Sequence, residues 1–294
     1  MGRIQNYSML NCAVNPQACK EGPNAYRPIF RSRKVMVIGG GVAGCEAARV
    51  LAIRGHKPVL FEKTGVLGGN LIPGGAPSFK EDDIALAKWY ARQMELLGVE
   101  VHMNTEVTKE MVLSGGYDTV IVATGSTPKV FSLGDDEKVY TAADVLTGAK
   151  DSGETTVIVG GGLVGLELAL DLAEKGKKVT VVEAMDKMLA VNGPICSANK
   201  EMLLEMVPFK GVNVVCSARV KGYTGGQLSY EKDGENHSIP ADSVILAVGY
   251  REEKTLYEEL QYEIPDIYLL GDAKNVSNIM YAIWDAFEVA NHID

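Results

Sequence analysis

The chain has 294 residues, 46% hydrophobic and 23% charged, enough to bury a sizeable core and, by length, to form about two domains. Its formal net charge of −9 excludes a sequence-independent hold on nucleic acid or on an anionic membrane, because both need a basic surface. Apolar runs such as Val35–Ile38 and Val244–Val248 are strand-sized, far short of the roughly 20 residues of a membrane helix.

In chain order, residues 1–33 carry Pro16, Pro23 and Pro28, show little periodicity and read as an extended arm that orders only against another surface. Met1–Leu10 has neither the basic nor the apolar stretch of a secretory signal, so a cytoplasmic setting is expected. Lys34–Glu62 then reads as a buried strand, a glycine turn, an amphipathic helix ending at Gly55, and a second strand ending in an acid. Asp83–Leu97 has Ile84, Ala87, Ala91 and Met94 at helical spacing, and Gly98 ends it. Val99–Met103 and Thr119–Ala123 read as strands.

Thr155–Glu183 repeats the pattern of Lys34–Glu62 without a gap, at an offset of 121 residues and with 11 of 29 pairs identical. Beyond it, Val212–Cys216 and Ser243–Val248 read as strands, Tyr223–Glu231 as a hairpin around Gly225-Gly226, and Ile279–Ile293 as a closing helix. Two βαβ units with parallel sheets are expected, hence an α/β fold.

The chemistry starts at the two glycine turns. Gly39 and Gly160 permit the tight turn out of the strand, Gly41 and Gly162 leave no side chain to block a pyrophosphate, and Gly44 and Gly165 let helix and strand pack closely. The helix starts, Val42-Ala43 and Leu163-Val164, offer free N–H groups and a partial positive charge to phosphates. Glu62 and Glu183 end the second strands, where a carboxylate accepts ribose hydroxyls. At Glu183 it would also repel the 2′-phosphate of NADP, and Ala184 and Met185 supply no cation, so NAD(H) is expected on the second turn although Lys187 is close in sequence.

Three further segments carry a resemblance. ATGSTP at Ala123–Pro128, the pair Gly68-Gly69, and LLGDA at Leu269–Ala273 resemble the FAD domain of the flavoprotein disulfide reductase superfamily, which has two dinucleotide-binding domains. The resemblance implies FAD on the first turn, with Asp272 on a ribityl hydroxyl and the following helix aimed at the flavin pyrimidine edge. It extends the FAD set to Lys63, Gly69, Asn70, Val107, Ala123, Thr124, Gly125 and Gly271. AVG at Ala247–Gly249 implies Val248 and Gly249 in an NAD domain inserted into the FAD domain. The expected organisation is an arm over 1–33, a discontinuous FAD domain over 34–150 and 251–294, and an NAD(H) domain over 151–250, both domains Rossmann-like.

NCAVNPQACKE at Asn11–Glu21, followed by Arg27-Pro28 and GHKPVLFEKTGVLGGNL, resembles the C-terminal half of Old Yellow Enzyme-type iron–sulfur flavoenzymes, the 2,4-dienoyl-CoA reductase and trimethylamine dehydrogenase family. In that family the CxVNP cysteine, here Cys12, is the last ligand of a 4Fe-4S cluster whose other ligands lie upstream, next to a barrel that carries FMN. No cysteine precedes Cys12, so the cluster and FMN are expected only in a full-length enzyme and no metal site is expected here. The chain is accordingly expected to be an excised C-terminal part, with a small-molecule electron acceptor or an N-terminal FMN barrel as partner and self-association through the uncovered face.

The five cysteines, Cys12, Cys19, Cys45, Cys196 and Cys216, include no CxxC pair, which fits a reducing compartment and argues against thiol–disulfide exchange. His56, His102, His237 and His292 are scattered and read as structural or surface residues. The expected activity is hydride transfer from NADH to FAD, which needs position rather than an acid or base, so no residue is assigned as catalytic. Glu167, one turn into the second helix, sits at a position that often lies near the nicotinamide in such flavoproteins. The other reading is a module that holds only ADP, as the corresponding region of trimethylamine dehydrogenase does; Asp272 and the intact second turn favour the active one.

Overall fold

The computed structural model describes residues 10–190 and 195–294. The first nine residues, on which the signal-sequence reading mostly rests, lie outside the described residues. Two five-stranded parallel sheets organise the chain. In the first, β1 (Lys34–Ile38) is central, with β2 (Lys57–Phe61) and β3 (Glu100–His102) on one side and β4 (Thr119–Val122) and β15 (Ile267–Leu269) on the other. In the second, β7 (Thr155–Val159) is central, flanked by β8 (Lys178–Val182) and β9 (Asn213–Val215) on one side and by β13 (Ser243–Leu246) and β6 (Val139–Thr141) on the other.

The central strands are apolar along nearly their whole length because helices or a β-ribbon cover both faces of each sheet. On the first sheet, α1 (Val42–Arg54), α2 (Leu71–Gly74), α3 (Glu81–Leu96) and the closing helix surround one buried cluster that contains Val35, Val37, Leu51, Tyr90 and Phe287. The opposite face packs Met36, Ile38, Phe61 and Val122 beneath α4 (Lys109–Ser114) and a second short helix near the chain's end. On the second sheet, α5 (Ala142–Leu146), α6 (Leu163–Glu174) and α7 (Ser197–Phe209) cover Ile158, Val181 and Ile245. Its other face is covered by a three-stranded antiparallel ribbon of β10 (Ala218–Thr224), β11 (Gln227–Lys232) and β12 (Glu235–Pro240), which buries Tyr223 and Leu228 against Val157 and Leu246. The remaining elements are α8 (Thr255–Leu260) and α9 (Ile279–Ala290), which close the first unit.

The hairpin expected at Tyr223–Glu231 is therefore one arm of a larger ribbon. Gly225-Gly226 makes its first turn and Asp233-Gly234 a second, each with positive φ at both positions, as a two-residue turn of the twist-matched type requires. Helix α7 was not read from the sequence although Met202, Leu203, Met206 and Val207 have helical spacing; Pro208 sits in its last turn, where the ring only ends the helix.

The second unit is spliced into the first. The chain crosses on β5 (Ser126–Pro128) and returns on β14 (Tyr250–Glu252), and the two pair antiparallel as a short ribbon between the sheets. Strand β6 hydrogen-bonds to β13, so residues 139–146 lie with the second unit, on the far side of the 150/151 boundary drawn from the sequence. The first sheet takes β15 from chain that follows the insertion, and the second takes β6 from chain that precedes its own first strand. Among the described residues no helix is long and apolar enough to cross a membrane.

The described part of the arm is folded back on the first unit. The Trp284 indole on α9 donates to the Cys12 carbonyl at 3.1 Å, and the Asn291 side chain accepts from the Arg27 amide and donates to the Ala25 carbonyl. Arg54, buried at the end of α1, donates to the carbonyls of Arg27, Ala290 and Ile293. His56 Nδ1 accepts from the Arg33 amide at 3.2 Å, which leaves Nε2 to donate to the Ile293 carbonyl at 3.2 Å.

Burial, and then the Arg54 charge, hold the His56 imidazole below its ordinary 6.5. The unfolded chain therefore binds a proton that the native one resists, and this contribution to stability, complete above pH 6.5, is lost as pH falls through the lowered value. Thermal melts between pH 8 and pH 5.5 should show a drop in Tm that is smaller in His56→Gln.

Candidate dinucleotide sites

Both glycine turns are shaped by backbone crowding. At the first, Gly39 has φ +106°, and a Cβ there would overlap the Ala123 carbonyl oxygen; a Cβ on Gly44 would overlap the carbonyl of Gly39. The second repeats this, with Gly160 at φ +112° against the Ala247 carbonyl and Gly165 against the carbonyl of Gly160. Gly41 differs. Its backbone is extended, and a Cβ would meet nothing nearer than the Gly69 Cα at 3.9 Å, so the space in front of the turn is open while the space behind it is filled. That is the shape a pyrophosphate needs at a helix N-terminus.

The two acids have matching partners. Glu62 Oε2 accepts from the Gly40 amide at 2.7 Å, and Oε1 accepts from the Thr64 amide at 2.7 Å and its hydroxyl at 2.8 Å. Glu183 Oε2 accepts from the Gly161 amide at 2.5 Å and Oε1 from the Met185 amide at 2.7 Å. A carboxylate has about four acceptor positions, so each retains capacity for ribose hydroxyls. The loops after the second strands also correspond: the Gly68 amide donates to the Gly40 carbonyl, and the Leu189 amide, 121 residues on, to the Gly161 carbonyl.

Gly68-Gly69 lies across the first turn, Gly68 pairing with Gly41 in an isolated bridge. Beside it, the Asn70 amide donates to the Ser126 hydroxyl and carbonyl at 3.3 and 3.4 Å. Ser126 donates to Asp272 Oδ2 at 3.0 Å, and Asp272 Oδ1 accepts from the Ser277 amide at 3.1 Å. Gly271, at φ +59°, packs on Ala43 so closely that a Cβ would come within 2.7 Å of the alanine methyl. Chain segments more than two hundred residues apart thus converge at one end of the first sheet. The Tyr250 phenol is pushed up, first by burial and then by the Asp272 carboxylate, which puts it in the same neighbourhood.

Other expected site residues fall differently. Lys63 is exposed at the end of β2. Val107 is buried among Ile38, Phe61 and Val112, so its side chain serves the core. The Thr124 hydroxyl is engaged by the Glu253 carbonyl, Val42, Leu163 and Val164 pack partly on their cores, and Val248 packs on the face beneath the ribbon. Gly125 and Gly249 both take positive φ, immediately before the crossing strands β5 and β14. Cys45 is buried on α1, its thiol donating to the Gly40 carbonyl at 3.2 Å, and burial pushes it up, so it stays protonated. Sequence reading missed Thr64 and Ser126. Both had a signal, Thr64 as the hydroxyl two residues past the acid and Ser126 inside ATGSTP, but neither pattern says which carboxylate its hydroxyl meets.

Two α/β units, one inserted in the other and each with an acid-braced glycine turn, define a two-site dinucleotide-binding oxidoreductase. The sequence matches the family model for pyridine nucleotide-disulphide oxidoreductases over residues 33–286, and the chain belongs to that family. It is 47% identical over 293 residues to a cinnamate reductase of Clostridium sporogenes, matching 100% of this chain and 44% of that protein. It is 35% identical over 300 residues to an NADH oxidase of Thermoanaerobacter brockii, matching 98% and 45%. Among solved structures, 2-naphthoyl-CoA reductase superposes with a TM-score of 0.89 at 26% identity, over 97% of this chain and 44% of that one. Thioredoxin reductase of T. acidophilum, TM-score 0.69 at 22% identity over 88% and 97%, shares the fold. The chain thus spans less than half the length of the curated relatives it matches, and the resemblance to one half of Old Yellow Enzyme-type flavoenzymes is borne out. FAD and a nicotinamide dinucleotide are the family's cofactors, and the open front of the first turn and the acids beside both turns fit them.

The contrast between crowded and open glycines is measurable. Gly44→Ala should cost about 1–3 kcal/mol in urea denaturation, since overpacking displaces helix from strand. Gly41→Ala should cost well under 1 kcal/mol.

Proposed function

We propose that the chain is the electron-entry unit of a longer, cytoplasmic NADH-dependent reductase, with FAD on the turn at Gly39 and NADH on the turn at Gly160. The observation that carries this reading is the pairing of two acid-braced turns with a single Asp272 cluster. A second nucleotide-binding turn and a carboxylate set by Ser126 and Ser277 have no use in a module that holds only ADP.

The residues divide the work. On the first turn, Gly41 leaves room for the pyrophosphate, the start of α1 supplies N–H donors, and Glu62 accepts from the adenosine ribose. Gly69 and Asn70 cover the turn, Ala123 and Gly125 line the strand ends, and Asp272 takes a ribityl hydroxyl. Helix α9 begins with Asn278 capping the Tyr281 amide and presents its positive end to the same region. On the second turn, Gly162, Leu163 and Val164 present the start of α6, Gly165 seats it, and Val248-Gly249 leads into the return strand. Glu183 selects NADH, because its carboxylate stands where a 2′-phosphate would bring a like charge.

When bound, the two cofactors supply a hydride donor and a two-electron acceptor that can release electrons singly. No side chain is needed as acid or base. The relatives are more than twice as long as the matched region, which supports an N-terminal FMN barrel as electron acceptor, with small molecules serving in its absence. The substrate class follows that other half.

The purified chain should be yellow and should bleach anaerobically with NADH at least about tenfold faster than with NADPH. A colourless protein that releases ADP would overturn the reading. Glu183→Gln should shrink the preference for NADH while leaving the flavin spectrum intact.

A further inference from the structure

We propose that Asp285, in the second turn of α9, is the positioning residue that holds Asp272 in the first site, so that this site takes a flavin dinucleotide in preference to its ADP part alone. The inference rests on the reading above for what the first site holds.

Asp285 reaches back from its helix to the segment that precedes it. Its Oδ2 accepts from the Gly271 amide at 3.1 Å, and its Oδ1 accepts from Lys274 Nζ at 2.8 Å. The carboxylate side chain is 25% exposed and the lysine 54%, so water screens the ion pair and it contributes little by itself. The consequence lies in the amide contact, a hydrogen bond strengthened by the charge of its acceptor.

Gly271 is the residue on which the site turns. It follows β15, sits at φ +59°, and lies so close to Ala43 in the first turn of α1 that a Cβ would come within 2.7 Å of the methyl. Its carbonyl accepts from the Lys274 and Asn275 amides, both at 3.0 Å. Glycine takes many backbone conformations at little cost, so an anchored amide decides which one is populated. The next residue is Asp272, which meets the Ser126 hydroxyl at 3.0 Å and the Ser277 amide at 3.1 Å. Asn278 then caps the Tyr281 amide and opens α9. Asp285 ties the first residue of this turn to the helix that follows it, and Asp272 is set between the two.

The second unit shows what has been added. Its edge strand β6 lies beside β13 as β15 lies beside β4. There the strand runs straight into α5, and Asp144 in the first turn reaches back to the Thr141 amide at 2.9 Å in a capping box. In the first unit Leu270–Asn278 separates strand from helix, and the acid that reaches back comes from the second turn instead. With the tie made by Asp285, Asp272 is left to face Ser126 and the site.

The test titrates ADP against the flavin-loaded chain and reads released FAD by its fluorescence. The half-displacing concentration follows the ratio of the two affinities, so damage common to both leaves it unchanged. Asp285→Ala should lower it about tenfold, the effect of losing one charge-assisted hydrogen bond from the framework of the site. Asp285→Asn keeps an acceptor for the Gly271 amide and should stay within about threefold of the parent. Asp272→Ala should also lower it about tenfold, and adding Asp285→Ala to that variant should change it by less than about twofold, because one residue acts through the other. A parental value in Asp285→Ala, an Asp285→Asn value as low as that of alanine, or multiplying effects in the double variant overturns the positioning role alone. Failure of Asp285→Ala to fold does the same, since a residue that acts through Asp272 leaves both cores intact. A parent that carries no flavin overturns the functional reading and this inference with it.

Discussion

At both glycine turns the helix meets the strand where there is no room for a Cβ, and the architecture follows from these two contacts. The first turn of α1 rests on the Gly39 carbonyl through Gly44, and α6 rests on the Gly160 carbonyl through Gly165. A methyl group at either position would push the helix away from the strand beneath it. The helix start would then no longer face the strand ends, and its free N–H groups would no longer converge on the turn. Packing of the fold and construction of the site are the same contact in this molecule. That is why the duplicated segments retain it over an offset of 121 residues while most surrounding side chains differ.

The acids add a second layer of organisation. Glu62 and Glu183 are already fixed by amides of their own turns and of the residues two positions on, so each carboxylate is ordered by the fold itself. Asp272 is treated likewise by Ser126 and Ser277, which lie on either side of the inserted unit in sequence. In each case the anion is held by neutral donors. Its charge is therefore left uncompensated by any cation at these contacts.

Insertion of one unit into the other makes their relative placement a separate problem from the folding of either. Each sheet has its own core, and β6 and β15 complete the two sheets at their edges without merging the cores. Among the described residues, the units are joined by a short ribbon, a helix-to-helix contact and an ion pair.

The sequence alone was enough for the number of units, their order, the crowded glycines of both turns and the placement of Glu62 and Glu183 beside them. These rest on local constraints: strand and helix periods, positive φ, and the fixed spacing from strand to turn to strand. It did not show that residues 139–146 belong with the second sheet, because a three-residue edge strand has too little pattern to choose its neighbour. It also did not show that Val107 faces the core, that Thr124 braces the linker, or that Ser126 holds Asp272. Lys80 carried no motif at all. Its meaning appears only when folding brings it 3.0 Å from the carboxylate of Glu167, 87 residues away, whose own helix has a leucine where the first copy has an arginine. Local backbone geometry is written residue by residue, whereas the pairing of buried charges across a boundary depends on the full path of the chain, and tertiary structure alone decides it.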